Sequence, residues 1–214
     1  MRNFRSGDIP YRRIGVRTAV RLFTNVRRLF VDDPSELFRR YFVNTVFDST
    51  FVVLGILAAA AFVPEANVEV ALGTIFAACL AIGISTGVSV FEAEHTEAEI
   101  RLKRIEGAML TSLANTDEAR RIRRSGYAKA LVNLFVPLVV ALVTGLPILL
   151  FEAGVLTEFL AAAAASAALG MGIIFGTGFY LGVLSGRKPL IRALRMTGVA
   201  ILTFALLVIL ERVL

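Results

Sequence analysis

The sequence predicts an all-α integral membrane protein, built as a bundle of five transmembrane helices. Of its 214 residues, 57% are hydrophobic and the mean hydropathy is +0.74, whereas a soluble domain holds about 45–50% apolar residues. The excess lies in five apolar runs, each long enough to cross the ~30 Å hydrocarbon core of a bilayer. The segments between the runs are alternately rich in basic residues and free of them, which is typical of a multi-pass membrane protein.

The apolar runs follow one another with short connections. Pro64 marks the turn after the first run, and Asn115 or Thr116 is a candidate N-cap for the helix that leads into the third. Pro137 and Pro147 lie inside the third run and are candidates for kinks. We expect the spans to cover, in order, residues 41–63, 68–91, 128–151, 159–184 and 189–210.

The charge pattern predicts the orientation of the bundle. Ten Arg lie in residues 1–40, eight Lys and Arg in residues 92–130, and four in residues 185–195. The turns at 64–67 and 152–158 contain neither. Because basic loops remain in the cytoplasm, we expect a cytoplasmic N-terminus and a C-terminus on the opposite side. The net charge of +6 thus reflects topology, and we predict no nucleic-acid partner.

Residues 1–40 form a separate basic segment ahead of the transmembrane domain at 41–214. Apolar residues there recur at helical spacing between the Arg, which predicts a basic amphipathic helix. Such a helix suits an anionic membrane surface. It is equally suited to packing on the cytoplasmic face of the bundle itself.

The second span continues without a break into a charged segment. No Pro or Gly cluster separates the two parts of residues 81–113. We therefore predict one helix that leaves the membrane near Phe91 and extends into the cytoplasm. From 67 to 113 it would measure roughly 70 Å. The charged insert at residues 92–129 would then project from the bundle.

Asp48 is the one ionisable side chain well inside a predicted span. Intramembrane carboxylates normally face the bundle interior and mark an ion or proton pathway. Two alternatives are a protonated carboxyl that is hydrogen-bonded to a neighbouring helix, and a position close enough to the cytoplasmic end to reach water. Asn44 lies on the same polar stripe. Additional oxygen ligands for this ion or proton pathway are expected from the second span, at Ser85, Thr86 and Ser89.

Acidic residues and the single histidine cluster where the second helix is predicted to leave the membrane. Carboxylates and imidazole suit divalent ions such as Fe²⁺, Mn²⁺ or Zn²⁺. The alternative is a solvated helix face, because two acids of this run, Glu97 and Glu99, have a basic residue four positions later in the sequence. Glu92 and Glu94 lack such partners, which favours them as ligands. The candidate metal ligands are Glu92, Glu94, His95, Glu99 and Glu106.

Gly83 and Gly87 form a G-x-x-x-G pattern in the second span. Such glycines let two helices approach closely, and we expect this pair to pack across the two-fold axis of a dimer. Cys79 is the only cysteine, so the chain has neither a disulfide framework nor a thiolate metal site. Motifs of NTPases, zinc proteases and serine hydrolases are absent, which favours a protein that is not an enzyme.

Four stretches occur in a distinctive order along residues 41–214. They are FVNTVFDSTFVVLGILAAA, GISTGVSVFEAEHTEAEI, RIEGAMLTSLANTDEARR and LGVLSGRKPLIRALRMTGVAILTFALLVIL. In order and spacing they resemble the vacuolar iron transporter family, in particular its compact prokaryotic relatives. Asp48 corresponds to the family's intramembrane Asp, and residues 92–106 to its acidic cytoplasmic helix. Thr86 stands where that family usually has Met.

The resemblance implies a secondary transporter of the cell membrane. It implies a homodimer within the lipid bilayer, with an ion path between the two first-and-second helix pairs. Fe²⁺ or Mn²⁺ would leave the cytoplasm in exchange for protons, as substrate and without a permanently bound cofactor. Two alternatives stay open: a non-transporting multi-pass module that binds lipid or a partner protein, and a transporter or channel for another ion.

Overall fold

The structure is a computed structural model, which describes residues 36–62, 68–110, 112, 116–186 and 188–213. Within these residues the chain forms five helices and no strand, and each helix is long and apolar enough to cross a membrane. The prediction of an all-α bundle with five spans is therefore confirmed. Residues 1–35 of the predicted amphipathic segment lie outside the described part. The helices are α1 (Glu36–Phe62), α2 (Val68–Met109), α3 (Asp117–Glu152), α4 (Phe159–Leu184) and α5 (Pro189–Val213).

The second helix continues beyond its apolar half, as predicted. α2 has 42 residues and is therefore roughly 63 Å long, about twice the hydrocarbon thickness. It ends at Met109, four residues before the predicted end, because Leu110 adopts a positive φ of 51° that stops the helix. The carbonyl of Thr116 accepts the Arg120 N–H at 3.2 Å, which places Thr116 at the start of α3.

The core forms where α1 packs between its neighbours. α1 contacts all four other helices, and α2 and α3 pack along each other most extensively. By contrast, only 11% of the α5 span is buried, which suits a helix that faces lipid. Two turns of α4 carry glycines where α5 crosses closely: a Cβ on Gly178 would lie 2.9 Å from the Ala193 Cα. The central cluster consists of Val53, Leu54, Leu57, Ile75, Cys79, Val140, Ala141, Ile148, Ala163 and Ala167.

Gly83 and Gly87 lie at a close helix contact, but the contact is within the chain. A Cβ on Gly83 would collide with the carbonyl oxygen of Leu134, and one on Gly87 would lie 2.9 Å from the Leu134 Cβ. Both glycines are buried. The predicted close approach is correct, whereas its placement on a two-fold axis is wrong, because α3 already covers this face of α2.

Candidate ion-binding groove

An open groove of about 570 Å³ runs along the surface between α1 and α2. It brings together three of the residues predicted to lie on an ion or proton pathway: Asp48 from α1, and Ser85 and Thr86 from α2. Apolar side chains complete the walls. The lining residues are Asp48, Phe51, Val52, Ala81, Ile82, Ser85 and Thr86.

Asp48 is exposed on the outer surface of the chain, not directed into the bundle. The inward position predicted for this carboxylate is therefore wrong. Residues four apart share a helix face, so the exposed side chains of Asn44, Asp48 and Val52 form one outward face of α1. The Asn44 Nδ2 donates a hydrogen bond of 2.8 Å to the Asp48 Oδ2. One carboxylate oxygen is thus held in place by a neutral donor.

The hydroxyl groups of α2 supply further oxygen atoms to the groove or its edge. Thr86 Oγ1 donates to the Ile82 carbonyl at 2.8 Å and lies 3.2 Å from the Asn133 carbonyl. Ser89, which is exposed one turn beyond the groove lining, donates to the Ser85 carbonyl at 2.6 Å. A hydroxyl has two acceptor lone pairs besides its one donor. These oxygens therefore remain able to accept from water or to coordinate a cation.

A buried polar cluster lies directly behind the groove, and sequence reasoning did not find it. Asn133 of α3 is fully buried. Its Oδ1 accepts a 3.0 Å hydrogen bond from Thr45 of α1, and its Nδ2 donates to the Lys129 carbonyl at 3.0 Å. The available signal was a Lys and an Asn four residues apart in the third helix, hence on one face. Polar groups on one face of an intramembrane helix predict a partner inside the bundle.

Glu94 does not serve as a free metal ligand, because it forms a buried ion pair with Lys129. The Lys129 Nζ and the Glu94 Oε2 are 2.7 Å apart, and the two side chains are 11% and 9% exposed. Gly126 makes this approach possible, since a Cβ there would lie 3.1 Å from the Glu94 Cβ. As the sequence indicates, Glu94 has no basic partner four residues later in its own helix. Its partner is instead 35 residues away, on α3.

The other acidic candidates lie along the charged outer half of α2, beyond its apolar part. His95 Nε2 is 3.4 Å from Glu99 Oε1, and the His95 ring stacks on Phe91 with centroids 6.0 Å apart. Glu106 accepts a 3.3 Å hydrogen bond from Ser112. In the described residues no three His, Cys, Asp or Glu side chains come close enough together to hold a metal ion.

The predicted five-residue metal site is therefore not assembled within one chain. Glu92 and Glu106 are fourteen positions apart in the sequence, which is roughly 21 Å of helix, and metal–oxygen bonds are only about 2–2.6 Å long. A shared helix face is thus not enough to bring these ligands to one ion. Glu92, His95 and Glu99 remain exposed.

A scan against protein-family models and searches of curated proteins and of solved structures found no match for this chain. The resemblance to the vacuolar iron transporter family therefore stays a prediction.

Proposed function

We propose that this multi-pass membrane protein is a secondary transporter of the cell membrane. It moves a divalent metal cation, Fe²⁺ or Mn²⁺, out of the cytoplasm in exchange for protons, and it works as a homodimer whose paired grooves form the ion path. One observation carries the proposal: an exposed carboxylate near the middle of a transmembrane helix, in a groove with hydroxyl oxygens.

The position of Asp48 is costly if the chain stands alone in lipid. The candidate span runs from Arg39 to Ala61, and Asp48 lies only two residues before its midpoint. A carboxylate at that depth costs at least a few kcal/mol in contact with hydrocarbon. The exposed face that carries Asp48 is therefore better explained by contact with a water-filled path or with protein. A second copy of this chain supplies both.

The outward face of α2 is suited to contact with that second copy. It presents a small residue at every fourth position, and small-xxx-small patterns let transmembrane helices pack closely. The stripe runs beside the groove and shares Ala81 and Ser85 with its lining. It replaces the buried Gly83 and Gly87 as the proposed dimer face. Its members, all exposed, are Gly73, Ala77, Ala81, Ser85 and Ser89.

The chemistry of the groove favours a cation that accepts oxygen ligands. Asp48 provides a carboxylate, and Ser85 and Thr86 provide hydroxyl oxygens. Oxygen donors suit Mn²⁺ best among the transition metals considered, and two-fold symmetry would double the donor set. A carboxylate must release its proton to bind a metal. Competition at Asp48 therefore couples metal movement to proton movement at one site.

The decisive experiment uses the purified protein in proteoliposomes with a pH-sensitive dye inside. Metal-dependent proton movement is expected for the parent and absent for Asp48→Asn, which retains size and hydrogen bonding but removes the charge and the titration. Glu152→Gln is the matched control, because it neutralises an exposed carboxylate at the far end of α3. The proposal fails if Asp48→Asn transports at the parental rate with the parental pH dependence.

A non-transporting membrane module is the second candidate. It is favoured by Glu94, a predicted ligand that is instead engaged in an ion pair. In that case the charged arm of α2 and α3 would bind lipid or a partner protein. The same liposomes distinguish the candidates, since a module of this kind moves neither Fe²⁺ nor Mn²⁺ in the parent protein.

A further inference from the structure

Asn133 connects the two walls of the groove to a third helix. Thr45 of α1 donates a 3.0 Å hydrogen bond to its Oδ1, and Thr86 of α2 lies 3.2 Å from its carbonyl oxygen. Asn133 itself has no exposed surface. The Asn133 side chain therefore holds α1, while its main-chain carbonyl contacts α2, so that the position of the α1 wall relative to α2 and α3 depends on this side chain.

The geometry fixes the orientation of the Asn133 amide. Its Nδ2 donates to the Lys129 carbonyl, one turn back on the same helix, at 3.0 Å. This bond turns Oδ1 toward α1, where the Thr45 hydroxyl donates to it. A buried polar group is stable when its partners are present and costly when one is missing. The Asn133 amide therefore stabilises only the arrangement of α1 and α3 in which both of its hydrogen bonds are made, whereas an apolar side chain would not select one arrangement.

Both connections lead directly to the groove lining. Thr45 precedes Asp48 by three residues, about one helical turn, and Thr86 is itself a lining residue. The next residue of α3, Leu134, is the one on which Gly83 and Gly87 pack. Residues 133 and 134 thus contact both helices that form the groove.

We infer that Asn133 is a positioning residue for the groove: it sets the distance between Asp48 on α1 and the hydroxyl oxygens of α2. The inference rests on the proposed function for its consequence in transport, but the geometry itself is independent of it. Residues that orient metal ligands from behind typically change metal affinity by roughly 10–100-fold when they are replaced. Because the Asn133 side chain acts on the proposed ligands only through Thr45, Asn133→Ala should raise the KM for Mn²⁺ by up to roughly tenfold, at the low end of that range, with a smaller change in maximal flux.

The test needs a readout of groove geometry that does not depend on transport. Cysteines replace Val52 and Ala81, which lie on opposite walls, in the full chain carrying Cys79→Ala. Bifunctional thiol reagents of graded length then report the wall separation. In Asn133→Ala, the shortest reagent that still cross-links the two cysteines is expected to differ in length from the shortest one that works in the parent. Thr45→Val, which removes only the hydroxyl of α1 at nearly constant volume, should change it in the same direction and provides the test if Asn133→Ala does not fold.

Thr144→Val is the matched control for a merely structural role. Thr144 is a fully buried hydroxyl on the same helix, and it donates to the Val140 carbonyl of that helix at 2.7 Å. The Thr144→Val variant should leave both the cross-linking pattern and the KM for Mn²⁺ unchanged. An altered pattern with Asn133→Ala or Thr45→Val, beside an unaltered control, supports the inference. If the altered pattern occurs in a protein whose parent shows no flux, the proposed function fails and the positioning role stands. Cross-linking identical to the parent in folded Asn133→Ala and Thr45→Val overturns the inference.

Discussion

The buried Glu94–Lys129 pair leads to a quantitative prediction of stability. The two side chains are about nine-tenths buried, and their charged atoms are 2.7 Å apart. Lys129→Met removes the cation and leaves a carboxylate without its partner. Breaking a buried pair in this way costs about 3–5 kcal/mol. Glu94→Gln should cost less, because its amide oxygen can still accept from the Lys129 Nζ.

The double replacement distinguishes a desolvated pair from a surface contact. Replacing both members of a buried pair by apolar residues of similar volume is often neutral or stabilising. We therefore expect Glu94→Met with Lys129→Met to be more stable than Lys129→Met alone by several kcal/mol. One further observation points the same way: the Glu94 Oε1 is buried and has no hydrogen-bond partner among the described residues. Such an oxygen makes the carboxylate itself costly to retain.

The assay is equilibrium unfolding of the detergent-solubilised protein. The free energy of unfolding is measured for Glu94→Gln, for the two single variants Glu94→Met and Lys129→Met, and for the double variant that combines these two. Glu99→Gln serves as the control, since it removes a half-exposed partner of His95 and should cost at most about 1 kcal/mol. The reasoning is refuted if Lys129→Met costs no more than Glu99→Gln, or if the double variant is as unstable as the sum of the single variants.

Three further predictions concern topology, packing and cation capture. A reporter inserted near Asn115 should be cytoplasmic and one fused at the C-terminus extracytoplasmic; the reverse result at Asn115 would contradict the five-span orientation. Gly182→Ala should lower the free energy of unfolding by about 1–3 kcal/mol, because its Cβ would lie 2.9 Å from the Pro189 Cβ; Gly172→Ala, where a Cβ meets nothing within 4 Å, should not. Glu92→Gln should raise the apparent KM for metal more than it lowers maximal flux, since an exposed carboxylate acts on local cation concentration; unchanged flux kinetics would assign Glu92 to a solvated helix face.

The fold was predictable because its determinants are local. Apolar runs of sufficient length and the alternation of basic loops specify five spans, and the absence of Pro and Gly breaks predicts the extended α2. Its end was less predictable. Nothing in the residues around Leu110 indicates the positive φ at which the helix stops, since bulky residues rarely adopt this conformation.

The site was less predictable because its contacts join distant parts of the chain. Local spacing identifies partners three or four residues apart, whereas the Glu94 partner lies on another helix. Helix periodicity also left the inward face of α1 ambiguous. Thr45 and Ser49 are buried while Asn44 and Asp48 are exposed, so polar residues occur on both faces. The same holds for α2, which carries small residues on the buried face at Gly83 as well as on the exposed stripe.

The length of α2 connects the groove to the charged outer half of the same helix. An unbroken helix of 42 residues behaves as a stiff rod, so a tilt of its charged outer end also displaces Ser85 and Thr86 in the membrane. The Glu94–Lys129 pair lies between those two regions and fastens α2 to α3 just beyond the last apolar turn. The pair therefore ties the outer half of α2 to the same α2–α3 contact on which Gly83 and Gly87 pack, next to the groove lining.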